Sequence, residues 1–297
     1  MSRPDAALAL AALYAGGTKG ALRVCAVCVG GAGLETAVFC DVVSRFYVPG
    51  NRSSNQSLPV GLAAVVPMPP DPPMVKAATQ RKKENGDPQY VRSIRTLSDT
   101  SQAEAVLRNG VTFSPTSAMV LSAPATWLAK SLDLLGTKAL YQERVKRLLV
   151  VETGVTGQDL ASLRRILAEW PTPVVLVPRE LGDQLMFSGA ALDAAFAWAP
   201  AHPVVDAYRA FKTMPYDTPL HDLAAMYYAH KTDGPFMLSE PGALSVGADG
   251  RIAFAPGGGN ARTLVVDPSK RAEALEALVA MAATQPAPPA QRGRGGD

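Results

Sequence analysis

The side chains best able to move a proton or hold a hard cation are carboxylates and imidazoles set close together, and this 297-residue chain offers few such places. It has three histidines. His202 precedes a proline, His230 closes an apolar helical stretch, and His221 is followed directly by Asp222. Asp222 stands at the start of the helical stretch 223–229, where unpaired backbone N–H groups favour a carboxylate. Two readings of Asp222 stay open. It is a helix cap, or it is an oxygen ligand for a hard cation with His221 as a neighbouring proton donor.

Other candidates are weaker. Gly30-Gly31-Ala32-Gly33 follows an apolar run and precedes a helical pattern, the setting in which a glycine turn can cradle a pyrophosphate. The fingerprint is only partial, and no acidic residue closes a following strand to hold a ribose. Gly257-Gly258-Gly259 follows a hairpin rather than preceding a helix, and reads as a flexible loop. Cys25 and Cys28 form a C-x-x-C inside the apolar run 22–29. Residues three apart on a strand face opposite ways, and no second pair completes a zinc site, so structural cysteines are expected. The basic run Arg81, Lys82, Lys83 adjoins Glu84 and reads as a solvated loop.

These residues need a scaffold, and the chain can build one. Its 47% hydrophobic content suffices for one large core. The formal net charge of +3 gives no strong pull toward nucleic acid or an anionic membrane. No apolar stretch approaches the roughly 18 to 20 residues of a bilayer span. The apolar start is read as a helix rather than a secretory leader, so a cytoplasmic protein is expected, or an exported one if the natural start lies upstream.

Apolar periodicity and turn residues predict helices at 6–15 (stopped by Gly16-Gly17), 34–47, 125–135, 158–170 and 269–281. Ser101 with Glu104 predicts a capping box opening a helix that ends near Gly110. Strands are predicted at 22–29, 117–122, 148–151, 174–177 and 263–266. The proline-rich stretch 67–88 reads as a long loop or a short, irregular insertion. Asp249-Gly250 predicts a hairpin turn between strands 244–246 and 251–254. Alternating helices and short apolar strands imply an α/β fold: a mostly parallel, Rossmann-like sheet with helices on both faces and a C-terminal β-hairpin. One domain is expected over residues 1–283, with a disordered Pro-, Gly- and Arg-rich tail at 284–297.

Several segments, in order, resemble the inosine/uridine-preferring nucleoside hydrolases. Leu220-His221-Asp222-Leu223-Ala224-Ala225 resembles their late histidine–aspartate motif, and the stretch 120–129 (VLSAPATWLA) their strand–turn–helix segment with a proline–x–threonine turn. Residues 170–175, 179–182 and 236–254 resemble a bacterial branch of that family. Asp5 with the following Ala/Leu run resembles the end of its N-terminal aspartate motif. The likeness covers nearly the whole chain at low identity.

The resemblance implies hydrolysis of the N-glycosidic bond of a ribonucleoside around a Ca²⁺ that holds the ribose hydroxyls and an activated water. It implies a small-molecule nucleoside partner and a homodimer or homotetramer. Carried over residue by residue, Asp222 matches a metal ligand, Thr126 a metal ligand through its carbonyl, His221 the proton donor, and Asp5 one of the paired aspartates of catalysis and metal binding. Other positions depart from the pattern. Ala6 stands where a carboxylate is expected, and Gly33 and Trp127 stand where the family has asparagines. The loop at 152–159 is short, with Glu152 its one carboxylate before Asp159. The upstream Asp-x-Asp strand has no counterpart. Ca²⁺ takes six to eight oxygens, so two carboxylates and one carbonyl imply weak or no binding. The alternative reading is a catalytically inactive relative kept as a nucleoside-binding or partner-binding subunit. A Rossmann-type enzyme, stabilised by NAD but not by ribose, is a third.

Overall fold

The computed structural model describes residues 3–48, 60–64, 67–152 and 159–287. In chain order its elements begin with α1 (Pro4–Thr18), β1 (Val27–Val29), α2 (Leu34–Tyr47), β2 (Val60–Leu62), α3 (Pro73–Thr79), β3 (Ser101–Gln102) and α4 (Ala103–Thr112). Next come β4 (Ser117–Leu121), α5 (Thr126–Ser131), α6 (Thr137–Arg144), β5 (Val145–Val151), α7 (Asp159–Glu169), β6 (Val174–Val177), α8 (Arg179–Asp183) and β7 (Met186–Phe187). The chain continues through α9 (Leu192–Ala195), α10 (Pro203–Phe211), β8 (Thr218–Pro219), α11 (His221–His230), β9 (Phe236–Leu238), β10 (Gly242–Val246), β11 (Ile252–Pro256), β12 (Arg262–Val266) and α12 (Arg271–Ala282).

The main sheet has the order β4-β5-β6-β12-β9, with β9 antiparallel at one edge and the other strands parallel. A second parallel sheet has the order β1-β2-β3. The expected α/β architecture is therefore present, and its physical basis is visible in β5 and β6. Leu149, Val151, Val175 and Val177 enter one hydrophobic core, while Leu148, Val150, Val174 and Leu176 enter the other. Strands buried on both faces need no polar alternation. The first core takes α1, α2, α10 and α11. The second takes α4, α5 and α7, with Tyr141 stacked on Trp170. The hairpin β10–β11 forms as expected, and Gly250 takes φ +80° in its turn. Among the described residues no helix is long and apolar enough to cross a membrane.

Four local expectations are corrected. The run 22–29 is extended as a strand only over Val27–Val29, because only those residues find partners, in Val60–Leu62. Helix α1 runs past Gly16-Gly17. It stops where Gly20 turns left-handed at φ +69°, with Ala21 N–H on Gly16 O and Gly20 N–H on Gly17 O, a Schellman ending. The Ser101–Glu104 capping box does not form: Ser101 is in β3, and α4 starts after Gln102 with no side-chain cap. The stretch 67–88 is not simply a loop, since prolines at Pro72 and Pro73 start α3, which packs against α2 and α10. Of the predicted tail, residues 284–287 are described, with Ala287 N–H donating to Thr18 Oγ1, and residues 288–297 lie outside the described residues.

Candidate functional site

The carboxyl ends of β1 and β4 converge on the N-termini of α1 and α11. Pro4 occupies the first turn of α1, where its missing N–H costs nothing, and this sets Arg3 and Asp5 on either side of the helix start. Asp5 is 1% exposed and accepts the backbone N–H groups of Asp222 (2.5 Å) and Leu223 (3.2 Å). Asp5, and not Asp222, is thus the carboxylate cap of α11. Burial, and then the neighbouring Asp222, push the Asp5 carboxyl well above the usual carboxylate range, against the pull of those N–H groups and of Arg3.

With its cap supplied by Asp5, the Asp222 side chain is free for other use. Its Oδ2 pairs with Arg3 Nη2 at 2.5 Å, and the same nitrogen donates to Ser122 Oγ at 3.1 Å, just past β4. Among the described residues its Oδ1 is buried with no hydrogen-bond partner. Asp222, Ser122, Gly30, Thr36 and Trp127 line one end of a cavity of about 790 Å³, and the indole Nε1 of Trp127 is likewise buried without a partner.

His221 sits beside this cluster on the first turn of α11. Its Nε2 lies 3.0 Å from Arg179 O. A carbonyl only accepts, so Nε2 carries the proton and Nδ1, which has no partner, is left as an acceptor. Burial, then the nearby Arg3 charge, hold the His221 pKa below its ordinary value and keep the ring neutral. In this form His221 offers a lone pair rather than the proton expected of it. The ring lies against Gly182, where any β-carbon would collide with it.

Thr126 directly precedes Trp127 in the chain. It is the first residue of α5, and its N–H and Oγ1 both donate to Asp159 Oδ1 at 2.8 Å. Glu152 is structural: its Oε1 accepts Ile252 N–H and its Oε2 accepts Arg179 N–H. Among the described residues no group of three or more His, Cys, Asp or Glu side chains could hold a metal. The cysteines are free, with Cys25 Sγ on Ser114 Oγ at 2.8 Å and Cys28 Sγ donating to Ala103 O.

The sequence reading missed Arg3 and Asp71. Asp71 comes from the proline-rich stretch and sits over Gly33 at the start of α2. Its carboxylate accepts Glu35 N–H (3.0 Å), Thr36 N–H (2.9 Å) and Thr36 Oγ1–H (2.7 Å). A helix start already neutralised by an internal carboxylate does not take a pyrophosphate, which removes the dinucleotide reading of Gly30–Gly33. An acid between prolines, at Pro70-Asp71-Pro72, was the only signal in the sequence. Asp71→Ala should lower the unfolding free energy by about 1 to 2 kcal/mol, the cost of a lost cap, read as a lower urea midpoint at unchanged slope.

No family model matches the chain, and no curated protein matches it. Its fold does match solved structures. An inosine-uridine preferring nucleoside hydrolase from Bacillus anthracis superposes with a TM-score of 0.61 at 13% identity, covering 94% of this chain and 97% of that one. A plant nucleoside hydrolase gives 0.62 at 17% identity, covering 94% and 96%. The type III effector protein XopQ, complexed with adenosine diphosphate ribose, gives 0.62 at 14% identity, covering 95% and 91%. Likeness at these identities is likeness of fold, and it agrees with the strand order and helix layers above: the chain has a nucleoside hydrolase-like fold.

Proposed function

We propose that this chain is a ribonucleoside-binding protein on a nucleoside hydrolase-like fold, and that it does not carry out metal-assisted hydrolysis. The observation that carries the proposal is the state of Asp222: Oδ2 is held by the guanidinium of Arg3, while Oδ1 is buried and, among the described residues, unpartnered on a residue of the cavity wall. The residues do not fit a Ca²⁺ ion. A fixed cation already neutralises Asp222, and both Asp5 oxygens are spent on the N–H groups of α11. Ca²⁺ needs several oxygens free to turn toward it.

What remains is hydrogen-bonding capacity. An unpartnered buried carboxylate oxygen is costly, and a ligand hydroxyl reaching it would satisfy it with a charge-assisted bond. The Trp127 indole supplies a donor and an apolar face beside it. These groups suit a sugar diol carrying a flat base. Both Asp5 oxygens cap α11 and the Arg3 guanidinium holds Asp222 as an ion pair, which leaves Asp222 Oδ1 as an acceptor for a hydroxyl and a poor base toward water.

The hydrolase reading remains the competing one, and one experiment separates them. Purified chain is incubated with inosine, uridine or adenosine, with and without Ca²⁺, while ribose release and the thermal midpoint are followed. The expected result is a raised midpoint with a ribonucleoside, no added effect of Ca²⁺ and no ribose. Asp222→Ala should abolish the nucleoside-dependent rise. Ca²⁺-dependent release of ribose would overturn the proposal.

A further inference from the structure

An asparagine followed by glycine carries chemistry that needs no bound ligand. Its side-chain amide carbon lies within reach of the next backbone nitrogen, and glycine has no side chain to shield that nitrogen. The chain has two such pairs, Asn85-Gly86 and Asn109-Gly110, and both asparagines are exposed. Their backbones differ. Asn85 stands at the tip of a short hairpin that closes the proline-rich stretch, where Lys82 bridges Pro88 and Lys83 N–H donates to Asp87 O at 2.8 Å. Its side chain makes an Asx turn: Oδ1 accepts Asp87 N–H at 3.1 Å, and Nδ2 donates to Asp87 Oδ2 at 2.8 Å. Asp87 N–H therefore polarises the amide carbonyl and stands where negative charge would develop on its oxygen during attack at that carbon.

Gly86 is also free to move. It takes φ +87°, and nothing lies within 4 Å of the place a β-carbon would occupy. Its N–H donates to Lys83 O at 3.0 Å, a turn bond open to water that local fraying releases. Asn109-Gly110 is held differently, inside α4. There the following N–H points along the helix axis into the ladder, away from the asparagine side chain. Gly110 is packed as well. A β-carbon on it would lie 2.5 Å from Cys25 O, so this turn of helix has no room to bring its nitrogen round to the amide carbon.

We propose that Asn85 is a site of spontaneous deamidation, with water as the co-reactant. Gly86 N bonds to Asn85 Cγ and gives up its hydrogen, the Cγ–Nδ2 bond breaks, and ammonia leaves. The product is a cyclic imide. Water adds to either of its carbonyls, and ring opening leaves an aspartate or an isoaspartyl link at position 85. No step is an oxidation or a reduction. The change sets a new carboxylate beside Asp87 and removes the Nδ2–H that Asp87 accepts. Its effect stays local, because both arms of the hairpin are pinned away from the tip: Arg81 and Tyr90 each bond Asp206 of α10. The protein thus ages into a more acidic form of the same fold. This inference is independent of what the candidate site binds.

The test incubates the full chain in warm, mildly alkaline buffer, folded and in concentrated guanidinium chloride, and maps its peptides by mass. In the folded chain the peptide holding Asn85 should exchange NH2 for OH and split into aspartyl and isoaspartyl forms, at least about tenfold faster than the peptide holding Asn109. In denaturant the two should react at similar rates, because both backbones are then free. Asn85→Gln, whose longer side chain must close a larger ring, should abolish the acidic form that builds up on ion exchange. Asn85→Asp should elute with that form from the start and keep the wild-type thermal midpoint. Similar rates at Asn85 and Asn109 in the folded chain would overturn the proposal, and so would reaction of Asn85 in denaturant alone. A lowered midpoint in Asn85→Asp would overturn the claim that the effect stays local.

Discussion

Asp5→Ala should cost about 2 to 4 kcal/mol at pH 7, more than any other single substitution in the candidate site. The change strips the only acceptor from two buried N–H groups, those of Asp222 and Leu223, and each orphaned donor costs about 1 to 3 kcal/mol. Part of that is offset, because the substitution also removes a carboxyl whose charged form is penalised by burial and by Asp222. Urea denaturation reads the loss directly. Asp5→Asn keeps one carbonyl acceptor and should recover part of it. The pH dependence has a definite sign. A carboxyl whose pKa is raised in the folded state holds its proton there after the unfolded chain has released its own, so its contribution falls as pH rises above the ordinary carboxylate range of about 4. Asp5→Asn removes that fall, and its deficit against the wild type should therefore shrink from acid to neutral pH. A deficit constant with pH would show that Asp5 titrates normally.

Acid should unfold the protein through His202. This side chain is 1% exposed, walled by Phe46, Phe196 and Trp198, and burial depresses its pKa to about 3. Its Nδ1 accepts Val204 N–H at 3.1 Å and so caps α10, which leaves Nε2 to donate to Tyr47 Oη at 2.9 Å. Protonation would set a second hydrogen against the Val204 N–H. The unfolded chain takes up this proton near pH 6.5 and the folded one does not. Stability is therefore full above about 6.5 and is lost toward about 3, at up to about 1.4 kcal/mol per pH unit, or about 5 kcal/mol in all. His202→Gln should flatten this slope while costing about 1 kcal/mol of capping at neutral pH. An unchanged slope in that variant would refute the assignment. Because the Asp5 and His202 slopes oppose one another just above the ordinary carboxylate range, each is read as the difference between variant and wild type.

The sequence by itself determined the α/β class, the parallel strands and the positions of most of the helices. Runs such as Val174-Val-Leu-Val177 are apolar at every position because both faces of the sheet are covered, and that pattern is local. It also picked out His221 and Asp222, since a rare histidine beside a carboxylate at a helix start is visible in one dimension. It marked Gly33 and Trp127 as departures from the family that the chain resembles.

Only the tertiary structure decided what those residues do. Whether Asp222 caps α11 depends on Asp5, 217 positions away in the chain, and whether it is free for a cation depends on Arg3, 219 away. The tautomer of His221 rests on the carbonyl of Arg179, and the helix start at Gly33 is occupied by Asp71. Extent was decided there too, since the apolar run 22–29 makes a strand only where β2 meets it. Caps, ion pairs and ladder partners are pair properties of residues distant in sequence. Hydrophobic period records which way a side chain faces, and it is silent on which side chain it will meet.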